Sequence, residues 1–273
     1  MPQEASLYFR RSALLPHVEL RRADHSSACY HTHTHDEFSV GVIDAGLAAY
    51  RNRQWQKTIR QGATVMINPG EAHSCNPDAG QPWSYRMLFI DAAWMGRLPT
   101  GRPACMGGAT ALLARTSTES PAVYHQFDDV FNALASGENP LAADEKLIRF
   151  LMTCCFDLHD GPQDRLKPQG PLERAKELIM DQLTENVTLT SMADVSGLSP
   201  YHLIRCFKQT YGQTPHAFQL DQRINRAKQL LKRGHSIVDV AQQLGFADQS
   251  HFQRHFKKRH AVTPRIYQRL TLA

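Results

Sequence analysis

The sequence lacks most of what would staple or anchor a chain. It holds six cysteines, Cys29, Cys75, Cys105, Cys154, Cys155 and Cys206, and no Cys-x-x-Cys pair. Thiols scattered in this way argue against a disulfide framework and predict a reduced, cytoplasmic protein. No stretch approaches the roughly 18 consecutive apolar residues of a membrane-spanning helix, so no membrane partner is expected. The opening residues, MPQEASLYFRR, have no apolar core of the secretory type. A large charge of one sign is also missing, with a net of only +5 over 273 residues. That total hides an asymmetry. Residues 171–273 carry 15 Lys/Arg against 8 Asp/Glu, whereas residues 1–170 carry 16 against 18. A basic half joined to a near-neutral half suggests a phosphate-binding module beside a partner domain, and the length fits two domains.

What is present in the basic half is one pattern written twice. The first copy, from Thr188, reads TLTSMADVSGLSPYHLIRCFKQTYGQTPHAF, and the second, from Ser236, reads SIVDVAQQLGFADQSHFQRHFKKRHAVTPRIY. Ala193 and Gly197 match Ala241 and Gly245, and Leu203, Arg205, Phe207 and Lys208 match Phe252, Arg254, Phe256 and Lys257 one position further on. The second turn therefore carries one extra residue. A short helix, a glycine turn and a second helix form a helix-turn-helix, which serves to place its second helix in a DNA groove.

The chain in order predicts a change of period. Phe38, Val40 and Val42 alternate with Ser39 and Gly41, and Trp83, Tyr85, Met87 and Phe89 alternate up to Asp91. Gly and Pro clusters separate such runs, the pattern of a small β-barrel or sandwich, with a first strand expected within residues 1–25. A short helix is expected around Ala109–Arg115. Phe127, Val130, Phe131 and Leu134, then Leu147, Phe150, Leu151, Cys154 and Leu158, take helical spacing. These two helices could cover the barrel, pair with a second subunit, or both. Residues 160–171, DGPQDRLKPQGP, read as a linker. Seven helices follow: Leu172–Thr184, the helix-turn-helix of 189–211, a long helix Pro215–Arg233, the helix-turn-helix of 237–259, and a last one from Pro264. Thr214 and Thr263, each before a proline, suit helix N-caps.

The recognition helices can be phased from their own cores. Leu203, Cys206 and Phe207 form one buried stripe, leaving Tyr201, Ile204, Arg205 and Lys208 opposite. Phe252 and Phe256 form the other, leaving Ser250, Gln253, Arg254 and Lys257 opposite. Arg can fork onto guanine O6/N7 and Gln onto adenine N6/N7, while the trailing Lys suits phosphate. His202 and His251 border the stripes.

Residues 171–268 resemble the AraC/XylS family of bacterial transcription regulators. The resemblance rests on Ala241, Gly245, Phe246, Ser250, Phe252, Arg254, Phe256, Lys257, Thr263-Pro264 and Tyr267. It implies seven helices with two recognition helices on one side of double-stranded DNA, reading bases through Tyr201, Ile204 and Arg205 and through Gln249, Ser250, His251 and Arg254. Ile204 cannot hydrogen-bond, so apolar contact is expected there.

In the other half, Tyr30-His31-Thr32-His33-Thr34-His35-Asp36-Glu37 places His31, His33 and His35 on one side if extended. With Gly62, Pro69, Gly70, His73 and Asn76 this resembles the two cupin motifs, over residues 25–91. In cupin enzymes His33, His35, Glu37 and His73 would be metal ligands, but Glu37 follows His35 too closely for that motif. The expectation is an effector pocket lined by His33, His35, Glu37, His73, Trp55 and Trp83, with no metal or other cofactor.

The combined expectation is an α+β fold of two domains. Residues 1–165 form a cupin-like jelly-roll barrel, about 10–95, with covering helices at about 121–159, and residues 171–273 form an all-α DNA-binding domain. The function expected is a sequence-specific transcription regulator, an activator answering to a small-molecule effector, homodimeric and working with RNA polymerase. Two other readings stay open at this stage. One is a metal-dependent cupin dioxygenase or isomerase with an accessory helical domain. The other is a ligand-independent regulator whose barrel only dimerises.

Overall fold

The computed structural model describes residues 7–53, 55–78, 81–97, 116–137, 139–154 and 170–272. The expected helix at Ala109–Arg115, Cys155, Leu158 and all but the last two residues of the expected linker lie outside them. Among the described residues the N-terminal half holds nine strands in two antiparallel sheets. They are β1 (Leu7–Arg11), β2 (Val18–Ser26), β3 (Phe38–Ala45), β4 (Leu47–Asn52), β5 (Trp55–Arg60), β6 (Thr64–Ile67), β7 (His73–Pro77), β8 (Trp83–Ile90) and β9 (Ser117–Thr118). One sheet runs β1-β2-β8-β3-β6-β9 and the other β5-β4-β7. Residues 1–25 thus supply two strands, where the sequence suggested one.

The central strands of the larger sheet are buried on both faces. Val18, Leu20, Phe38, Val40, Val42, Leu88 and Ile90 point away from the smaller sheet into one apolar core. Covering them are α2 (Pro121–Ser136) and α3 (Pro140–Met152), through Phe127, Val130, Phe131, Leu134, Leu147, Phe150 and Leu151. Each such side chain, fully buried, contributes about 1.5–3 kcal/mol. A short α1 (Ala92–Met95) adds Met95 to that core. Arg86 ties α2 to the sheet, donating to Asp44 at 2.8 and 2.9 Å and to Asp128 at 2.5 Å. The other face of the large sheet carries Ile43, Val65, Ile67, Trp83 and Tyr85 against Ala48, Tyr50 and Ile59 of the smaller sheet. The alternation read along Trp83–Phe89 is this inward face.

The C-terminal half holds α4 (Gly170–Asp181), α5 (Leu189–Ser196), α6 (Pro200–Tyr211), α7 (Pro215–Lys232), α8 (Ile237–Gln243), α9 (Gln249–His260) and α10 (Pro264–Leu272). Ser and Thr caps start them as the pattern requires: Thr188, Ser199, Thr214 and Ser236 each accept a backbone N–H from the following turn. The first unit packs Met192, Ala193, Leu203 and Phe207 against Leu172, Ala175 and Ile179 of α4. The second packs Val240, Ala241, Phe252 and Phe256 against Ile224, Ala227 and Leu231 of α7. α7 therefore serves both units, and at about 1.5 Å per residue it spans about 27 Å. Its buried Arg223 donates to the Leu183, Glu185 and Gly245 carbonyls at 2.7–2.8 Å, fixing the turn of the second unit to the chain that leaves α4.

Gly245 takes a positive φ of +67°, and a Cβ there would stand 2.1 Å from the Thr184 carbonyl oxygen. Gly234 has φ +85° but open space around it. Gly245→Ala is expected to cost about 3 kcal/mol, from left-handed strain plus the clash, and Gly234→Ala only about 1 kcal/mol. Urea unfolding of the full chain followed by helical circular dichroism measures the difference. Equal costs would mean the turn can move away from Thr184.

Candidate nucleic-acid interface and effector cavity

The recognition helices α6 and α9 each bury an apolar stripe and turn a polar one outward. Leu203 and Phe207 are fully buried, as are Phe252 and Phe256. Tyr201 is 78% exposed and Ile204 37%. Arg205, Lys208, Gln249, Ser250, Arg254, Lys257 and His202 are exposed, and Gln253 and His251 are half-buried. Cys206 is half-buried and marks the edge of the first stripe. The two exposed arginines thus occupy equivalent places on equivalent helices.

The C-terminal ends of both recognition helices meet the β domain. The Gln213 amide just beyond α6 donates to the Thr32 carbonyl at 3.1 Å, and Gly212 lies against Ala72. At the end of α9, the Lys258 carbonyl accepts from the His31 N–H at 3.2 Å. Between these points lies a buried polar seam. Asp221 of α7 accepts from the Thr34 N–H and hydroxyl, both at 2.6 Å, and from Arg259 Nε at 3.0 Å. Gln222 and Asn225 donate in turn to the Thr34 hydroxyl. Lys228 donates to both oxygens of Glu37 at 3.0 Å, and Lys232 bridges Glu37 and Glu19. Burial alone would push the Glu37 carboxyl up, but Lys228 and Lys232 outweigh it and hold Glu37 well below the usual carboxylate range. Apolar contact flanks the seam, where the Phe9 ring lies 5.3 Å from that of Tyr267.

Behind the seam, between the sheets, lies a cavity of about 60 Å³ lined by Arg21, Tyr30, His33, His35, Ile43, Val65, Ile67, His73, Cys75, Trp83, Tyr85, Met87 and Phe89. A second hollow of about 30 Å³ shares Arg21, His33, His35 and Phe89 with it and reaches Lys228, Arg259, His260 and Tyr267. The three histidines converge, with ring centroids 4.4 Å apart for His33–His73 and 4.7 Å for His35–His73. Each Nδ1 lies 2.7–2.8 Å from a backbone carbonyl, of His31, Glu37 and Glu71 respectively. A carbonyl can only accept, so Nδ1 carries the proton and Nε2 is left as an acceptor. His35 Nε2 takes the Ser39 hydroxyl at 3.0 Å.

Two expected pocket residues are placed elsewhere. Trp55 is 69% exposed at the start of edge strand β5, and does not line the cavity. Glu37 is drawn away from the histidines by the ammonium groups of Lys228 and Lys232. That leaves no carboxylate ligand with the imidazoles, and among the described residues no group of three or more His, Cys, Asp or Glu could hold a metal ion. His31 is exposed, because residues 30–37 form an irregular segment bridged to β7 only at His33–His73 rather than a strand. Arg21, Tyr30 and Tyr85 in the cavity, and Asp221, Lys228 and Arg259 in the seam, were not anticipated as site residues. The signal available for them was the adjacent pair Arg21-Arg22, which must point to opposite faces of β2, and two charges on the turns of α7.

Comparison with known proteins decides the class. The family model described as an AraC-like ligand binding domain matches residues 15–151, and a helix-turn-helix domain model matches residues 192–270. The chain belongs to the AraC family of transcription regulators. The regulator is 29% identical to the uncharacterised HTH-type transcriptional regulator YbfI of Bacillus subtilis over 246 residues, 86% of either chain. It is 27% identical to the arabinose operon regulatory protein of Escherichia coli, over 83% of this chain and 78% of that one. In fold it is similar to ToxT of Vibrio cholerae, with a TM-score of 0.58 over 93% of this chain and 96% of that one at 16% identity. No helix among the described residues is long and apolar enough to cross a membrane.

Burial holds His35 and His73 down at about 3, helped by repulsion from neighbouring histidines. In the unfolded chain an imidazole titrates near ~6.5. The stability these rings carry is thus complete above about 6.5 and is lost as pH falls toward their folded values, at about 1.4 kcal/mol per pH unit for each ring. Thermal unfolding at pH 7.5 and 5.0 is expected to show a lower midpoint at pH 5.0, and His73→Gln to shrink the gap. A gap unchanged by the substitution would assign the acid sensitivity to other groups.

Proposed function

We propose that the regulator reads its operator with two recognition stripes and takes its effector in the β-domain cavity. Bases would meet Tyr201, Ile204 and Arg205 from α6, and Gln249, Ser250, His251, Gln253 and Arg254 from α9. His202, Lys208 and Lys257 would meet phosphates or the groove edge. The observation that carries this reading is the equivalence of the two stripes: Arg205 and Arg254 are both solvent-exposed, at matching positions of a repeated helix-turn-helix, with the β domain docked elsewhere. Arginine forks suit guanine, and Ile204 suits a thymine methyl.

The cavity supports effector binding because it is concave, largely apolar and furnished with a few convergent polar groups. Effector residues in this reading are His33, His35, His73 and Trp83. ToxT has been crystallised with an unsaturated fatty acid bound, which sets a precedent for a ligand in a related fold. Activation of transcription, with RNA polymerase as partner, extends the same reading. So do a homodimer formed through the outward faces of α2 and α3, where Leu141 is 77% exposed, a cytoplasmic location and the lack of a catalytic role. The domain division at residues 165–171 belongs with it.

Arg254→Ala is expected to cost about 1–3 kcal/mol of specific binding and to relax one operator position, while Lys257→Ala weakens binding to all sequences alike. Operator selection from a random duplex pool, followed by titration at fixed salt, reads both. Uniform loss from both variants would show that α9 is phased differently on DNA.

A further inference from the structure

Arg21 is the one feature of the cavity that effector binding in general does not explain. It sits in the middle of β2, inside the fold and 7% exposed. Its Nη2 donates to the Tyr30 hydroxyl at 2.6 Å, and its guanidinium lies 5.2 Å and 5.7 Å from the ring centres of Tyr30 and Tyr85. Its Nε is buried and has no hydrogen-bond partner. Among the described residues no carboxylate pairs with it. The other two cations at the cavity end are matched, Lys228 by Glu37 and Arg259 by Asp221. The nearby His35 and His73 are neutral, held down by burial, so they add no charge to the cavity. A buried guanidinium that faces phenol rings and a cavity wall without a carboxylate is a desolvated cation short of its anion.

The rest of the cavity narrows the choice. Trp83 Nε1 is a second buried donor without a partner. Ile43, Val65, Ile67 and Met87 form apolar walls, and the space is about 60 Å³. One uncompensated positive charge suits one negative charge, so a phosphate dianion would be left half-neutralised. The small enclosed part of this space suits a compact apolar group. We propose that the cavity takes a small organic acid whose single carboxylate pairs with Arg21 and whose apolar body fills the space beneath Trp83. This rests on the effector reading given above and names the ligand class.

The test uses the full-length protein at constant chloride, with thermal unfolding and isothermal titration. The probes are benzoate and 3-methylbutanoate, their neutral amides benzamide and 3-methylbutanamide, and D-glucose. At least one acid is expected to raise the unfolding midpoint by several degrees and to bind at least tenfold tighter than its amide. Arg21→Gln is expected to abolish that preference, and Arg21→Lys to restore part of it. Because Arg21 variants could fold poorly, Ile67→Phe provides a second arm: it narrows the cavity without changing its charge and is expected to weaken acid and amide together. Equal binding of acid and amide, a response to glucose alone, or no response to any probe overturns the proposal. So does an acid preference that survives Arg21→Gln. Operator binding by the same preparation separates the two readings. Specific DNA binding without acid preference overturns only the ligand class, and absence of specific DNA binding overturns the regulator reading itself.

Discussion

The structure depends on a helix buried around most of its circumference, with only His216 and Arg226 exposed. α7 buries Leu220, Ile224, Ala227 and Leu231 against the helix-turn-helix cores, and it also buries Asp221, Asn225 and Lys228. A charge taken out of water costs several kcal/mol unless it is paired and hydrogen-bonded. The partners of these groups lie across the boundary between the two halves of the molecule: Asp221 and the Asn225 amide N–H meet Thr34, and Lys228 meets Glu37, while the Asn225 amide oxygen is buried without a partner. Such pairs add little net stability, since much of the Coulomb gain is spent on desolvation, but they are unforgiving of geometry. A seam of this kind specifies one orientation of the β domain on the helices and penalises others.

The partner of α7 is a short segment that faces two ways. From residue 31 to 37, His33 and His35 turn into the cavity, while Thr32, Thr34 and Glu37 turn to the helices. The two sides are linked covalently, and His35 is also bonded through Nδ1 to the Glu37 carbonyl. A ligand that moved the histidines by a fraction of an ångström would therefore act on the hydrogen bonds of the seam. For this to regulate anything the ligand must bind one arrangement of the seam better than another. Moving a population from one in a hundred to ninety-nine in a hundred needs about 5.5 kcal/mol of such preference. Two or three buried charge-assisted hydrogen bonds, at about 1.5–3 kcal/mol each, are of that size.

How much of this was legible in the sequence follows from what periodicity can report. The repeated helix-turn-helix was legible because two copies in register confirm each other, and Leu203, Phe207, Phe252 and Phe256 are the buried stripe the spacing demands. The inward face of β8 was legible as Trp83, Tyr85, Met87 and Phe89. Arg21 was not, because a basic residue on a strand as charged as Val18–Ser26 reads as an outward one. Asp221 and Lys228 were not, because a polar stripe on a helix looks the same whether it meets water or another domain. The cupin resemblance puts Glu37 in the pocket with the histidines, and Trp55 joins it as an aromatic on a neighbouring strand. Whether the strand they lie near is an edge, or whether an ammonium waits across an interface, is decided by tertiary packing alone.

The β domain touches α6 and α9 at the same end, at Gly212 and Gln213 in one and at Lys258 in the other. It holds the two helices at their C-terminal ends and leaves the stripes that carry Arg205 and Arg254 exposed. Two helices that enter successive major-groove faces must keep a separation close to one helical repeat, about 34 Å, and a fixed tilt. A clamp across both ends makes the sensor domain a caliper. On the proposed reading, its setting would determine which spacing of half-sites the regulator engages, and an effector that shifted it would change operator architecture and not only occupancy.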